Sequence, residues 1–370
     1  MVKIDVIIPS FRLTAETLLP ILNLTRPVDA QIKFYLIADN PAVIPSPSIT
    51  RLVDNKTIFL TINKVNQGAS ATRNIGIESG QGDWILFLDD DIEVLPDLLI
   101  VYANAIQQYP NEIGFIGVVN LPPATTPFAN AINANRSMDM FTIAKKKASF
   151  GWGVTANFMI SRKAIGEIRF SEIYPKAGGG EDVEFFIRVR ALNNFKDYKC
   201  LSDATVTHPW WGDGRPDFKR FYRYGKGASL LTKRNTLYRG YDFLNTIETI
   251  FVSAIVFLLF LFIDFKSGHW VLFLYFIALT LVLEYLICLI IVLRRNKSFS
   301  PLTALYVMFL RSSNDTGVLL KNISRLRIVG LGERFHFHES AKKSNFVLNT
   351  NKIIKLIIYL LAISYAIYKL

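Results

Sequence analysis

The run Trp84-Ile85-Leu86-Phe87-Leu88-Asp89-Asp90-Asp91 constrains this chain more than any other. Its unbroken apolar stretch predicts a strand buried on both faces, the condition of a strand inside an α/β sheet covered by helices. The three acids that close it repel one another and persist only where a cation or strong hydrogen-bond donors absorb their charge. A hard divalent ion, Mn²⁺ or Mg²⁺, is the expected absorber, because it takes carboxylate oxygens and leaves positions for water and substrate phosphate. Further along, Gly178-Gly179-Gly180-Glu181-Asp182 supplies a second carboxylate set at the glycine-rich entry to a helix.

Short apolar runs ending in turn signals recur at Ile4-Asp5-Val6-Ile7-Ile8-Pro9-Ser10 and Phe34-Tyr35-Leu36-Ile37-Ala38-Asp39-Asn40. Helical spacing separates them at 15–24, a third strand is expected over 57–62, and Asn66-Gln67-Gly68-Ala69-Ser70 opens the next helix. After Pro96 a helix runs towards Gln108, 114–119 returns to the sheet, and 120–147 reads as a polar, irregular excursion. A strand at 157–161, a helix at 181–192, one or two strands over 198–207 and a basic, aromatic helix over 216–236 complete the soluble part. Alternation of this kind predicts an open α/β sheet whose ligands bind at the carboxyl ends of the strands, where Asp39 and Asp89 fall.

Hydropathy changes near Tyr241. Two nearly unbroken apolar stretches, 243–263 and 270–293, flank the link Asp264-Phe265-Lys266-Ser267-Gly268 and predict a transmembrane hairpin. The expected organisation is a catalytic domain over 1–240, the hairpin over 241–294, interfacial helices over 295–352 and a candidate third membrane helix over 353–370. Within the interfacial part, 300–323 is broken by Arg311-Ser312-Ser313-Asn314-Asp315 and reads as a helix pair. Lys226, Lys233, Arg234 and Arg239 precede the hairpin and Arg294, Arg295 and Lys297 follow it, so both flanks, and the catalytic domain, are expected on the cytoplasmic side. The first residues enter a strand at once, which predicts no signal peptide. A net charge of +12 over 370 residues is concentrated beside the apolar stretches, which favours anionic lipid over nucleic acid as partner. The two cysteines, Cys200 and Cys288, fit a reducing compartment and no thiolate metal site.

Four motifs in order, Val6-Ile7-Ile8-Pro9-Ser10, Asn66-Gln67-Gly68-Ala69-Ser70-Ala71-Thr72-Arg73-Asn74, Leu86-Phe87-Leu88-Asp89-Asp90-Asp91 and Gly179-Gly180-Glu181-Asp182-Val183-Glu184, resemble family 2 glycosyltransferases over about 3–225. The resemblance implies a GT-A fold, an open mixed, mostly parallel sheet with flanking helices, and transfer of a sugar from a nucleotide donor, expected to be UDP-linked, with inversion at the anomeric carbon. The expected acceptor is lipid-linked or membrane-associated. A motif of the form Gln-x-x-Arg-Trp, carried by processive members, is absent from Asp217-Phe218-Lys219-Arg220-Phe221-Tyr222-Arg223-Tyr224-Gly225-Lys226, which counts against a polysaccharide synthase. A non-enzymatic membrane scaffold is disfavoured by the intact acids. No Gly-x-Gly-x-x-Gly and no phosphate loop suggest a dinucleotide enzyme or an NTPase.

Inversion needs a base for the acceptor hydroxyl, and Asp182 is the candidate, held ionised by the helix N-terminus. Glu181 either caps the helix or bonds the acceptor. Asp91 is the first candidate metal ligand; Asp89 binds directly, through water or by way of the donor ribose, beside Asp90. A histidine past the base motif completes the metal site in related enzymes, which makes His208 the matching candidate. Asp39 resembles the residue that reads the nucleotide base, Pro9, Ser10 and Gly68 would line the nucleotide pocket by backbone approach, and Arg73 would bind phosphate or base through its rigid fork. Trp152, Trp210 and Trp211 are candidates for stacking on acceptor sugars or for core positions.

Overall fold

The computed structural model describes residues 1–263, 267–327, 330–336 and 349–369. The described chain forms two compact units, one of Met1–Pro123 with Met138–Asp213, the other of Ala124–Ser137 with Gly214–Leu370. The second unit thus takes in a segment of the soluble part and begins well before the hydropathy change near Tyr241.

In the first unit the strands are β1 (Val2–Ser10), β2 (Ala30–Ala38), β3 (Ile58–Ile62), β4 (Trp84–Leu88), β5 (Glu93–Val94), β6 (Gly114–Asn120), β7 (Ser149–Phe150), β8 (Asn157–Ser161) and β9 (Tyr198–Thr207). They form one sheet in the order β3-β2-β1-β4-β8-β6-β9-β5, with β7 pairing β9. The first four run parallel, β8 enters antiparallel between β4 and β6, and β6 and β9 are again parallel. This is the open, mixed, mostly parallel sheet with flanking helices that was expected. Pro9, which has no N–H to donate, is tolerated in the central β1 because β4 pairs with it only over Ile4 to Ile7. A register shift opposite Ile116 and Val118 lets β9 remain one strand.

Helices α1 (Ala15–Leu22), α2 (Pro47–Leu52), α3 (Ala69–Ser79) and α4 (Leu98–Gln108) fall between these strands, and α2 is a short helix the sequence pattern did not reveal. The excursion at 120–147 is more regular than expected. It contains α5 (Pro127–Ala134) and a 3₁₀ turn, Asp139–Lys145. Thr126 starts α5 by accepting the Ala129 N–H at 3.0 Å ahead of Pro127, a start signal that the polar composition obscured. Helices α6 (Arg162–Ile165) and α7 (Glu181–Leu192) complete this part. Phe185 of α7 stacks on Phe170 at 3.9 Å and Phe186 on Phe158 at 3.9 Å, so the helix that carries Asp182 is packed against the β8 face of the sheet by large buried rings.

Far from the carboxyl ends, Asp5 is 2% exposed and is neutralised by Arg162 Nη2 at 2.7 Å and the Gly82 N–H at 2.6 Å. Asn157, wholly buried, accepts from Tyr102 Oη at 2.8 Å and donates to the carbonyls of Val118 and Ala204. Both are structural ties that give these two buried polar side chains partners.

The second unit holds α5, α8 (Phe218–Arg234), α9 (Thr246–Ile263), α10 (Ser267–Asn296), α11 (Pro301–Ile323) and α12 (Thr350–Lys369), with a two-stranded ribbon of β10 (Arg239–Tyr241) and β11 (Glu333–Phe335). The interfacial helix pair expected over 300–323 is a single helix. Arg311 Nε lies 3.4 Å from the buried Glu284 carboxylate, Thr316 bonds back to Ser312, and Gly225 and Gly317 let α8 and α11 cross backbone to backbone. Lys355 of α12 donates to Glu284 and, at 2.9 Å, to Thr246, so its charge is paired inside the helices rather than exposed at the end of an apolar segment.

Among the described residues one helix, Trp270–Asn296, with mean hydropathy 2.8 in its most apolar part, is long and apolar enough to cross a membrane. Among the described residues Thr246–Leu261 is apolar but shorter. The link at 264–266 and the third histidine of the C-terminal region, His338, lie outside the described residues.

Candidate active site

The sheet gathers its acids at one edge. Asp89, Asp90 and Asp91 leave the carboxyl end of β4, and the pairing of Glu93 with Thr207 brings the turn after β4 against the end of β9. That single antiparallel contact explains why His208, far away in sequence, meets Asp91: Nε2 lies 3.4 Å from Asp91 Oδ1. Ligand atoms of Asp89, Asp91 and His208 all fall within 4.8 Å of one another. The imidazole is oriented as a ligand. Its Nδ1 donates to the Pro209 carbonyl at 2.6 Å, which turns Nε2 towards the acids, and Phe141 of the 3₁₀ turn packs its edge against the ring. Two carboxylates and one imidazole whose ligand atoms converge fit a Mn²⁺- or Mg²⁺-type site, the imidazole favouring the softer ion.

Burial pushes the carboxyls of Asp89 and Asp90 above their ordinary range, and the neighbouring acids add to the effect. Three donors oppose it. Arg73 lies 3.7 Å from Asp89, Ser10 Oγ donates to Asp90 at 2.6 Å, and Arg12 lies 3.8 Å from Asp90. Ser10 therefore acts through its hydroxyl, which also accepts the Leu13 N–H at 3.0 Å, while its carbonyl is taken by the Asp39 N–H. These bonds latch β1 to the acid turn. Pro9 sits in β1 opposite Ile37, half-buried.

Asp39 is 7% exposed at the end of β2. Its Oδ1 accepts from Asn63 Nδ2 at 2.9 Å and the Gln67 N–H at 2.8 Å, and its Oδ2 from the Gly68 N–H at 2.7 Å. The carboxylate thus fixes the loop before α3 and keeps lone-pair capacity on Oδ2. Gly68 has φ +95, and a side chain there would collide with the Lys176 backbone; the glycine is required by Lys176, whose carbonyl accepts the Ala69 N–H.

Along α3, Ser70, Arg73 and Asn74 share one face, as helical spacing dictates. Ser70 donates to the Ser171 carbonyl and Asn74 makes a two-way bond with the Phe170 backbone, which fastens α3 to the segment leading into the glycines. Arg73, 7% exposed, is directed between the two acid sets, with Nη1 3.4 Å from Glu181 Oε1, Nη2 3.7 Å from Asp89 Oδ1 and its guanidinium over the Phe170 ring. Glu181 is 4% exposed and its other oxygen accepts the Gly179 N–H at 2.6 Å. It is committed to Arg73 and the glycine turn.

Gly178, Gly179 and Gly180 all have positive φ, a sequence of conformations that residues with a Cβ rarely adopt, and the turn delivers Asp182 into the first turn of α7. Asp182 Oδ1 accepts the Val183 N–H at 2.8 Å. The helix N-terminus does not keep this carboxyl in the ordinary acidic range. Burial and then the Glu181 charge push it up to about 7, against the Val183 N–H and Arg73. Of the tryptophans, Trp152 and Trp211 are buried, Trp211 against Phe141, and Trp210 donates to the Pro122 carbonyl.

Sequence reasoning passed over Arg12, Asn63, Phe141, Phe170 and Lys176. Arg12 alone carried a signal, since a basic residue in the turn after an apolar strand stands where ligands of such sheets bind.

Residues 5–169 match a family model described as glycosyl transferase family 2, a stretch that includes Asp39, Arg73 and the acid triplet and ends before the glycines and His208. A relative from Haemophilus influenzae, named an uncharacterized glycosyltransferase, is 31% identical over 117 residues, 30% of this chain and 37% of the relative. A second from the same organism and of the same name is 32% identical over 109 residues, 29% of this chain and 44% of the relative. The chain spans less than half the length of these curated relatives. The crystal structure of S. aureus TarS 1–349 in complex with UDP superposes with a TM-score of 0.42 at 16% identity, over 62% of this chain and 64% of that one. Residues 5–169 are therefore similar to glycosyl transferase family 2, and the acids and Arg73 of the site lie within or beside that stretch.

Proposed function

We propose that this protein transfers a sugar from a UDP-linked donor, with inversion, to an acceptor held at a cytoplasmic membrane face. The observation that carries the reading is the position of Arg73 between Asp89 and Glu181, because it joins a cation-binding acid set to a base-bearing one across a gap lined by charged groups. A divalent ion held by Asp89, Asp91 and His208 would supply Lewis-acid stabilisation of the departing diphosphate. Asp182 takes the proton of the acceptor hydroxyl as its oxygen attacks the anomeric carbon, and a carboxyl raised to about 7 is matched to that task. Asp39 offers Oδ2 to a ring N–H of the base, and Glu181 keeps Arg73 and the glycine turn in place.

Membrane attachment is supported by α10 and by outward apolar side chains on three helices, among them Leu258 and Leu259 of α9, Leu274 and Val282 of α10, and Leu360 and Leu361 of α12. Arg294, Arg295 and Lys297 at the end of α10 favour the cytoplasmic side for that end.

Membranes containing the protein, incubated with a panel of nucleotide sugars and Mn²⁺, should release UDP and yield a lipid of increased mass. Release of another nucleotide would overturn the donor assignment, and absence of turnover with every donor would overturn the transfer reading. Long products from single acceptors would identify a polymerising synthase instead.

A further inference from the structure

Arg12 has no part in the reaction as outlined, yet it stands at the acid triplet. Its side chain is 61% exposed, with Nη2 3.2 Å from Asp91 Oδ2 and 3.8 Å from Asp90 Oδ1. The turn that carries it is held at several points. Asn40 Nδ2 donates to the Phe11 carbonyl at 3.3 Å, and Ser10 Oγ accepts the N–H of Leu13, a buried leucine in the left-handed region with φ 49. A bulky side chain in that region is strained and persists only where its surroundings over-determine it. The backbone is therefore fixed while a guanidinium on a long stem projects into solvent.

A guanidinium and a divalent ion compete for the same charge on Asp91, because each is attracted by the carboxylate and repelled by the other. Once a cation neutralises Asp91, Arg12 loses its reason to stay there. A diphosphate arriving on that cation offers paired oxygens, which the planar fork of arginine matches by two parallel hydrogen bonds.

We propose that Arg12 is a diphosphate-binding residue that screens Asp90 and Asp91 before a cation binds and swings onto the diphosphate of the donor when metal and nucleotide enter. This rests on the transfer reading above. Breaking the bond between the anomeric carbon and the β-phosphate oxygen leaves the electron pair on that oxygen, while the acceptor proton goes to Asp182. The released UDP carries more negative charge than the bound donor did, and Arg12 holds the leaving group more strongly than the ground state.

The test uses the full chain in detergent, as wild type, Arg12→Ala and Arg12→Lys, titrated with Mn²⁺ alone and then with UDP at saturating Mn²⁺. Arg12→Ala should bind Mn²⁺ alone more tightly than wild type, since a competing cation is gone. Its affinity for UDP should fall about tenfold, the scale of one charge-assisted hydrogen bond, with Arg12→Lys between the two. Weakening of both titrations would mean a structural role, and unchanged UDP affinity no diphosphate contact; either overturns the proposal alone. Wild-type protein that takes up Mn²⁺ but no UDP overturns the transfer reading and this proposal with it.

Discussion

Arg73 Nη1 lies 3.4 Å from Glu181 Oε1, although the two residues are more than a hundred positions apart and belong to different helices. With the other arm of the same guanidinium near Asp89, this contact ties the Gly-Glu-Asp turn before α7 to the acid triplet after β4.

Arg73→Ala leaves Glu181 buried without its cation, and loss of one partner of a buried pair costs about 3–5 kcal/mol. Urea unfolding should show that scale of destabilisation. Arg73→Lys keeps the charge but not the fork and should fall between the two. In either variant that stays folded, the midpoint of the pH–rate profile should move upwards, because a cation that favours ionised Asp182 is gone or displaced.

Asp182→Asn should lower turnover by about 10²- to 10⁴-fold with donor binding retained, since the amide has nearly the same shape but cannot accept the proton. Wild-type kcat/KM should rise with pH through about 7, where the free base ionises. The effect on stability has the opposite direction. A folded-state carboxyl raised to about 7 favours the protonated form, so its contribution is full below the ordinary carboxylate range and is lost as pH rises through about 7. Asp182→Asn should therefore melt higher than wild type at about pH 8 and alike at about pH 4. An unchanged melting temperature at the higher pH would contradict the raised carboxyl.

Asp91→Ala should weaken Mn²⁺ binding, read by electron paramagnetic resonance titration, by more than the ~10- to 100-fold typical of losing an outer partner of a metal site. His208→Ala should weaken it less, because imidazole contributes a ligand without charge. A chelator should remove UDP binding in wild type; equal UDP affinity with and without it would remove the metal from the site.

Gly225→Ala places a methyl group against the Asn314 carbonyl, part of the α11 backbone, which cannot swing aside. Overpacking of this kind costs about 1–3 kcal/mol, and the detergent-solubilised protein should melt correspondingly lower. A melting temperature equal to wild type would show that α8 and α11 separate without cost.

Local pattern alone carried β4 and its acids, the β8 strand and α7, because apolar runs, helical periodicity and glycine punctuation are properties of neighbouring residues. The same reasoning marked Asp89, Asp91 and Asp182 as chemistry-bearing types in telling places, and the family resemblance added His208. It overlooked α5, where Thr126-Pro127 is a start signal hidden in a polar stretch, and it broke α11 at Arg311 because pairing with Glu284 is invisible along the chain. What each site residue touches was decided by tertiary structure. Pairing of β5 with β9 brought His208 to Asp91, the docking of α3 on Phe170 aimed Arg73 between the acid sets, and the packing of Lys176 made Gly68 necessary. Burial beside Glu181 raised Asp182 where a helix N-terminus by itself would have kept it ionised. Sequence determines which groups are present and the local geometry each can adopt; their charge states and partners depend on distances and solvent exclusion that exist only once segments remote in the chain have packed together.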